Sequence, residues 1–504
     1  MVSKRCCYPP ETVRSSTDTV SDALREAWLY GRAPVADRRS RALGRLIGLT
    51  FLAGLVLVGL VHPVVVLVVL LSVPVFVILI RYPVAVLVAG LFLIPFHVAI
   101  FNAINYRGHI ATGALDNWKD ALIVALFLRA IVGRVRAEGR VRLPRSKTDL
   151  FVLVYIVGYM CIAALSPAVP SRVIALGRII EGPMLFLATR YLRPTRKQLN
   201  ACLGAMLAAA TIMAVTALIE RFGPQAKLLV WYGASKPTAN SAFYVGRSYR
   251  AGSFLNSPLI LGFYLAGAVS LAASTIIASR GVGRFLACVA VAATGAGLVV
   301  TVTRSAYIGG GIGLLLVILL GVRNPGVRFA LAGIFLVAAG GMAGVLVAKN
   351  SQTFLRPSGT DPHREALDRD LQLFAEKPMG YGIGTTDAVA QRFKLKTLKG
   401  TPIVTESTVM AKAIEGGIGG LFLYLTANFV LLFRLRRARL AALVRGDRRA
   451  AALAAGGLGT VVAIFVSGFF LGISELVVEL MLWGAASLTL LYCEQPATVR
   501  PSGA

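Results

Sequence analysis

Long apolar runs without a charged residue recur along this 504-residue chain, and they restrict its fold more than any other feature. Residues 46–61, 64–80 and 84–100 are three examples. Each approaches the roughly 20 residues that a helix needs to cross the hydrocarbon core of a bilayer. The sequence therefore predicts an all-α, polytopic transmembrane helical bundle of about 12–14 spans, with one long outward-facing loop that contains short helices.

The distribution of Lys and Arg predicts which connections face the cytoplasm. Basic stretches at 134–147, 190–197 and 434–449 alternate with links that carry no Lys or Arg, such as 62–63 and 166–170. Cytoplasmic loops of membrane proteins collect Lys and Arg, so both chain termini are predicted to be cytoplasmic. The predicted organisation is a basic cytoplasmic segment 1–44, a membrane domain 45–492 with outward loops 101–116, 221–252 and 350–405, and a cytoplasmic tail 493–504.

The formal net charge of +30 follows from this topology and does not require a nucleic-acid partner. A nucleic-acid-binding protein needs an aqueous basic domain or a recognisable binding module, and the sequence shows neither. Six cysteines and four histidines are present, but none has metal-ligand spacing. We therefore predict membrane lipids as partners, no nucleic acid, no metal and no cofactor.

The stretch "HREALDRDLQLFAEK" in the last outward loop predicts an amphipathic helix. Leu367, Leu371 and Phe374 follow one another at i, i+4 and i+7, which places them on one face. Such a helix lies against the membrane surface or packs on the bundle. A charged helix surrounded by water is the alternative.

Arg304 interrupts an otherwise apolar or small stretch, "GLVVTVTRSAYIGGGIGLLLV". A charge inside a membrane is costly unless it has water or a partner. The predicted topology places Arg304 at the outer end of a span, where it faces an outward cavity, and Gly309, Gly310 and Gly311 permit close approach of neighbouring helices. Arg304 then either reaches to lipid headgroups or holds an anion.

Other arginines are predicted on the same side of the membrane. Arg247 and Arg250 precede a span, and His363 and Arg364 begin the loop helix. Guanidinium groups suit phosphate because they form paired, charge-assisted hydrogen bonds. The group indicates an anionic ligand such as a lipid diphosphate, although a general attraction for anionic headgroups would also collect arginines.

Carboxylates complete the candidate site. Glu406 opens a predicted span at the outer face, where it either caps the helix or acts as a general base towards a hydroxyl. Glu415, deeper in that helix, is interpreted as a packing or hydrogen-bonding residue. Arg178 and Glu181 lie three residues apart and are predicted to pair on one helix face, as a structural ion pair.

The order of these motifs resembles the O-antigen ligase and O-antigen polymerase superfamily. The resemblance covers about residues 240 to 433 and rests on "RAGSFLNSP", "TRSAYIGG", "REALDRDLQLFAEKPMGYGIG" and "ESTVMAKAIEGGIGGL". It implies a metal-independent glycosyltransferase of the bacterial inner membrane. Such an enzyme moves a glycan from a polyprenyl-diphosphate donor to a hydroxyl of a glycan or lipid acceptor on the outer face.

The resemblance also implies roles for individual residues. Arg250, Arg304 and Arg364, with Arg247, would bind the diphosphate, and Arg304 and Glu406 would act in catalysis. O-antigen ligases usually carry histidine where this chain has Glu406. This difference favours a polysaccharide polymerase or a less characterised branch of the superfamily over a ligase, and it leaves His363 as an alternative base.

Two other classes of protein remain open from the sequence. A membrane transporter or lipid-linked oligosaccharide flippase would suit many spans and buried charges, although such proteins often show internal repeats and the sequence shows none clearly. A structural assembly protein would leave the arginine-rich outer site unexplained.

Overall fold

The structure of the chain is a computed structural model, and it describes most of the sequence with several gaps. The described residues are 77–79, 81–100, 117–138, 146–166, 172–223, 244–245, 248–349, 357–386, 403, 405, 407–472 and 475–495. Internal contacts divide the chain into two units, Met1–Tyr82 and Pro83–Ala504, and every element below belongs to the second.

Helices form almost all of the described secondary structure. The first part of the unit contains α1 (Pro83–Leu93), α2 (Trp118–Glu138), α3 (Lys147–Leu165), α4 (Arg172–Leu192), α5 (Arg196–Phe222), α6 (Pro258–Ala278) and α7 (Val282–Val300). The second part contains α8 (Arg304–Gly321), α9 (Pro325–Lys349), α10 (Pro357–Glu376), α11 (Thr408–Val444), α12 (Arg448–Phe469) and α13 (Leu476–Glu494). A two-residue hairpin, β1 (Tyr244–Val245) with β2 (Ser248–Tyr249), precedes α6.

Nine helices within the described residues are long and apolar enough to cross a membrane. They are α1 with its extension to Ile100, α3, α5, α6, α7, α8, α11, α12 and α13. The predicted all-α polytopic bundle is thus confirmed, and the protein is a multi-pass membrane protein. Helices also form at the predicted spans near 117, 172 and 328, as α2, α4 and α9, while the spans predicted near 46 and 64 lie outside the described residues.

Local sequence explains where several helices begin. Ser146 accepts a hydrogen bond from the amide of Asp149, and the Asp149 carboxylate accepts one from the amide of Ser146, so that α3 starts with a capping box. Thr195 and Gln198 form the same arrangement at the start of α5. Both caps lie within the basic stretches that connect one helix to the next.

Helices α6, α12 and α13 form the centre of the bundle, and glycine permits the closest contacts among their neighbours. A Cβ atom on Gly309 of α8 would lie 2.2 Å from the carbonyl oxygen of Ala463 on α12. One on Gly313 would lie 2.5 Å from the carbonyl oxygen of Gly459. The prediction of close helix approach after Arg304 is therefore confirmed at Gly309, where only hydrogen fits.

Ion pairs, of which the one between Arg190 and Asp149 is buried, join five helix termini at one end of the bundle, here called the network end. The Arg190 guanidinium lies 2.5 Å from Asp149 and 3.1 Å from Glu494. Arg196 lies 2.5 Å from Asp447. These residues begin α3, α5 and α12 and end α4 and α13, so these two groups of helices run in opposite directions. The other termini of these five helices lie at the opposite end, here called the site end.

Further contacts bring other basic stretches to the network end. Arg134 of α2 lies over the ring of Tyr191, 5.0 Å from its centroid. Arg439 of α11 donates to the carbonyl oxygen of Leu320, 2.5 Å away, at the end of α8. The basic stretches that the sequence assigns to the cytoplasm therefore share one end of the bundle, as the alternation of charged and uncharged links predicts.

The amphipathic helix predicted in the last outward loop is present as α10, but a different face is buried. Ala366 and Asp370 are buried, whereas Leu367 and Leu371 are exposed and Phe374 is half-buried. In the part of the chain that the structure describes, this apolar face is therefore not packed on the bundle, and a position at the membrane surface and one in water both stay predictions.

The prediction that Arg178 pairs with Glu181 is wrong, because Arg178 has a different partner. Arg178 instead lies 3.1 Å from Glu475, at the start of α13. Glu181 is buried and lies close to Asp120 and Lys119 at the start of α2. Helix packing therefore brings Arg178 and Glu181 close to charged groups of other helices at the site end, and these groups compete with the pairing of the two residues on α4.

Candidate functional site

A buried carboxylate fixes the segment that carries Arg250. Glu220, near the end of α5, is fully buried and accepts hydrogen bonds from the hydroxyl of Tyr249 and from the amides of Gly252 and Ser253. The Ser253 hydroxyl in turn donates to the carbonyl oxygen of Met213, at 2.9 Å. A carboxylate with several donors is well satisfied in a buried position, so this segment is held rigidly against α5.

The Arg250 side chain holds the turn between α7 and α8. Its Nε donates to the carbonyl oxygen of Thr301 at 3.0 Å, and its Nη2 donates to the hydroxyl of Thr303 at 2.9 Å. Thr303 donates to the carbonyl oxygen of Pro258, which begins α6. Val302, between them, has a φ of 49°, a conformation that is uncommon for a β-branched residue and that the surrounding contacts must stabilise.

This turn places Arg304 as the first residue of α8, half-buried at the site end. Burial lowers the pKa of Arg250, the nearby Tyr307 opposes this, and the positive charge of Arg304 lowers it further. The two guanidinium groups are thus close enough to repel each other. Two neighbouring cations at the start of a helix form a local field that favours a bound anion.

The start of α8 and the start of α11 are joined through the last turn of α12. The Ser467 hydroxyl lies 3.2 Å from the carbonyl oxygen of Ser305. The Ser407 hydroxyl donates to the carbonyl oxygen of Gly468 at 3.1 Å. Because Ser467 and Gly468 are consecutive, one turn of α12 links two segments that are about a hundred residues apart in sequence.

These serines directly follow the two residues to which the sequence assigns catalytic roles. Ser305 follows Arg304, and Ser407 follows Glu406. Glu406 and Arg247 themselves lie outside the described residues, as does the side chain of His363. The structure thus brings the immediate surroundings of Arg304 and Glu406 to one end of the bundle.

Arg364 is exposed on α10, a helix that contacts α11. Its convergence with Arg250 and Arg304 around one cavity stays a prediction. Arg250 has a clear structural role, because its Nε and Nη2 bind the turn before α8, and this role was not foreseen from the sequence.

Glu415 organises a loop that follows α10, which confirms its interpretation as a hydrogen-bonding residue. Its Oε1 accepts from the amide of Gly384 at 3.1 Å and from the hydroxyl of Thr386 at 2.8 Å. Thr386 pairs with Ile403 in an isolated parallel bridge. Through this bridge, Glu415 fixes the chain three residues before Glu406.

A break in α11 accommodates this loop. Gly417 has a φ of 62° and a ψ of −158°, a region that is essentially restricted to glycine. Gly380 of the loop, with a φ of 88°, packs against the break. The amide of Tyr381 donates to the carbonyl oxygen of Ile414, and the amide of Ile418 donates to that of Pro378. The carbonyl and amide groups of α11 that lose their helical hydrogen bonds at the break are therefore hydrogen-bonded by the loop.

We expect Gly417→Ala to destabilise the protein by about 2 kcal/mol or more, because the backbone strain and a steric clash add. A Cβ atom at this position would lie 2.4 Å from the carbonyl carbon of Met379. Thermal unfolding of the purified protein in detergent measures the effect, with Gly419→Ala as the control. At Gly419 the nearest atom is Ile162 Cδ1 at 3.7 Å, an ordinary contact. Equal melting temperatures for the two variants would contradict this account of the break.

Several polar side chains inside the bundle near the site end were not predicted from the sequence. Lys412 of α11 is buried and close enough to Glu479 of α13 for their charges to interact. Glu479 accepts a hydrogen bond from the indole of Trp483 at 2.8 Å. Ionisable residues within spans are expensive and indicate function. The available signal was their occurrence in apolar stretches, as Lys412 in "VMAKAI" and Glu479 in "LVVELML".

Comparison of the chain with models of known protein families found no match, and a search of curated proteins found no similar sequence. The geometry of the site is therefore the basis for any assignment of function.

Proposed function

We propose that the protein is a glycosyltransferase of the bacterial inner membrane that moves a glycan from a polyprenyl-diphosphate donor to an acceptor hydroxyl on the outer face. The observation that carries this proposal is the link from Ser305 to Ser407 through the last turn of α12. In this proposal the link brings Arg304, held by Arg250, near the segment that carries Glu406, and guanidinium groups suit a diphosphate. The resemblance of the motif order to the O-antigen ligase and polymerase superfamily agrees with it.

Arg304 is the proposed contact to the diphosphate, and Arg250 positions it. Arg250 binds both sides of the turn that begins α8, so the direction of the first helical residue is fixed before any ligand arrives. Preorganised cations stabilise charge that develops in the transition state without rearranging. Arg364 and Arg247 are proposed to contribute further positive charge from the loops.

The proposed reaction is a direct displacement at the anomeric carbon. The acceptor oxygen forms a bond to that carbon while the bond from the carbon to the diphosphate oxygen breaks. The acceptor proton moves to the Glu406 carboxylate, and the leaving electron pair stays on the polyprenyl diphosphate, next to Arg304. His363 is the alternative base.

In this proposal the site end faces outward and the network end faces the cytoplasm. The accumulation of Lys and Arg at the network end supports this orientation, because cytoplasmic ends of membrane proteins are enriched in these residues. Both termini are then cytoplasmic, and the polyprenyl donor enters from the bilayer.

A lipid-linked oligosaccharide flippase is the second candidate. The buried Lys412 and its neighbour Glu479 favour it, since transporters place charged groups on a path through the bundle.

Incubation of the purified protein in detergent with a polyprenyl-diphosphate-linked glycan and an acceptor separates the two candidates. A transferase releases polyprenyl diphosphate and forms a new glycosidic bond in micelles, whereas a flippase has no second leaflet to act on. Both products are measured by mass spectrometry. Movement of the intact donor from one leaflet of a proteoliposome membrane to the other, without any released polyprenyl diphosphate, would overturn the transferase proposal in favour of the flippase.

A further inference from the structure

A groove of about 440 Å³ lies at the network end, on the side of the bundle away from the candidate site. Helices α5, α6 and α7 form its walls, and α12 closes its end. Leu207, Ile212 and Leu286 supply apolar walls, and Ile212 and Leu286 are themselves largely exposed. Gly204 lies in the groove, and a Cβ atom there would meet no atom within 4 Å, so the space beside it is open.

The groove ends at a polar rim. Arg449, which lines it, donates to Asn200 Oδ1 at 3.1 Å and lies over the ring of Tyr492, 5.7 Å from the centroid. Arg284 donates to the carbonyl oxygen of Ser279, another lining residue, at 3.2 Å. The rim is therefore positively charged, and its arginines are held in place by neighbouring groups.

Among the residues that the structure describes, two carboxylates near the rim are already engaged. Asp447 pairs with Arg196, and Glu494 pairs with Arg190. The positive charge of the rim is thus not balanced by these carboxylates, and an anion from outside the chain would be attracted to it.

We propose that this groove binds one anionic phospholipid. One of its two acyl chains lies between α5 and α7, and its phosphate lies at Arg449 and Asn200. The volume falls in the range of ligand pockets, roughly 300–1,000 Å³. The walls match an acyl chain, and the rim matches a phosphate, because guanidinium groups form charge-assisted hydrogen bonds with it. The bilayer surrounds the groove and supplies such lipids directly. The inference does not depend on the transferase activity.

Native mass spectrometry of the full chain, titrated with phosphatidylglycerol or phosphatidylcholine, tests the proposal. We expect the wild-type protein to bind phosphatidylglycerol about tenfold more tightly than phosphatidylcholine. Both lipids carry a phosphate, but the arginines of the rim repel the cationic choline group, and a difference of about 1.4 kcal/mol is a factor of ten. Arg449→Ala is expected to bind phosphatidylglycerol about tenfold more weakly and to lose the preference. Gly204→Leu, which fills the groove and keeps every charge, is expected to weaken the binding of both lipids.

Two matched controls distinguish the groove from the general surface. Arg323→Ala removes an exposed arginine from the turn after α8, also at the network end. Gly333→Leu adds the same side chain at an open position on α9. Both are expected to bind like the wild type, and Ala208→Leu, a second lining position, replaces Gly204→Leu if that variant is not monodisperse.

Three results would overturn the proposal. The first is equal binding of the two lipids by the wild type. The second is a change in lipid binding that is equally large for each test variant and for its control. The third is binding of soluble glycerol phosphate as tight as that of phosphatidylglycerol, because the apolar groove would then contribute nothing.

Discussion

Arg304→Lys is expected to lower the rate of glycan transfer by about 100-fold although the positive charge is kept. Lysine is a compact point charge and cannot form the paired hydrogen bonds that a guanidinium makes to phosphate. Loss of one preorganised donor to developing negative charge typically lowers kcat by about 10²–10³-fold. The position of Arg304 as the first residue of α8 is set by backbone contacts and by Arg250, so the variant is expected to fold.

The measurement is the rate of polyprenyl diphosphate release from a lipid-linked donor by folded, purified variants. Arg323→Lys, an exposed position at the opposite end of α8, serves as the matched control and is expected to react like the wild type. A wild-type rate for the Arg304 variant would show that this residue only anchors the helix to lipid headgroups. The phosphate contact would then have to be sought at Arg364.

Features that depend on local sequence were predictable. The apolar runs predicted the membrane spans, because a chain that crosses a bilayer must form its backbone hydrogen bonds internally and so becomes a helix. The amphipathic pattern gave α10, and the capping residues Ser146 and Thr195 mark the starts of two helices. The close contact at Gly309 was also predictable, because small residues permit helices to approach closely inside a membrane.

Features that depend on packing between distant segments were not predictable. Arg178 pairs with Glu475, 297 residues away, and no local pattern indicates which of several acidic residues a packed helix will bring near it. The exposed side of α10 shows the same limit. The spacing of Leu367 and Leu371 shows that an apolar face exists, but not whether protein or lipid covers it.

The candidate site combines both kinds of information. From the sequence, Arg250 was predicted to bind a diphosphate and Glu415 to pack or form hydrogen bonds, but the hydrogen-bond partners of both were visible only in the fold. Arg250 binds the turn before α8, and Glu415 binds the loop that pairs with Ile403. Both are thus positioning residues, one for Arg304 and one for the segment that leads to Glu406.

Glu406→Gln is expected to slow transfer by about 10²- to 10⁴-fold, the usual contribution of a general base, while thermal stability stays near that of the wild type. The substitution keeps the size and the hydrogen bonding of the side chain, but an amide is a very poor proton acceptor. The neighbouring Ser407 has its own partner in the carbonyl oxygen of Gly468, so the chain beside Glu406 is anchored independently of the carboxylate.

Comparison of transfer rate and melting temperature separates a base from a helix cap. A lost cap costs about 1 kcal/mol of stability and leaves the chemical step unaffected. Glu365→Gln makes the same chemical change at an exposed position of α10 and is the matched control. A stable Glu406 variant slowed by less than about tenfold, below the range for a general base, would make capping the role of this residue. The acceptor proton would then go to another base, and the same comparison with His363→Gln would show whether that base is this histidine of α10.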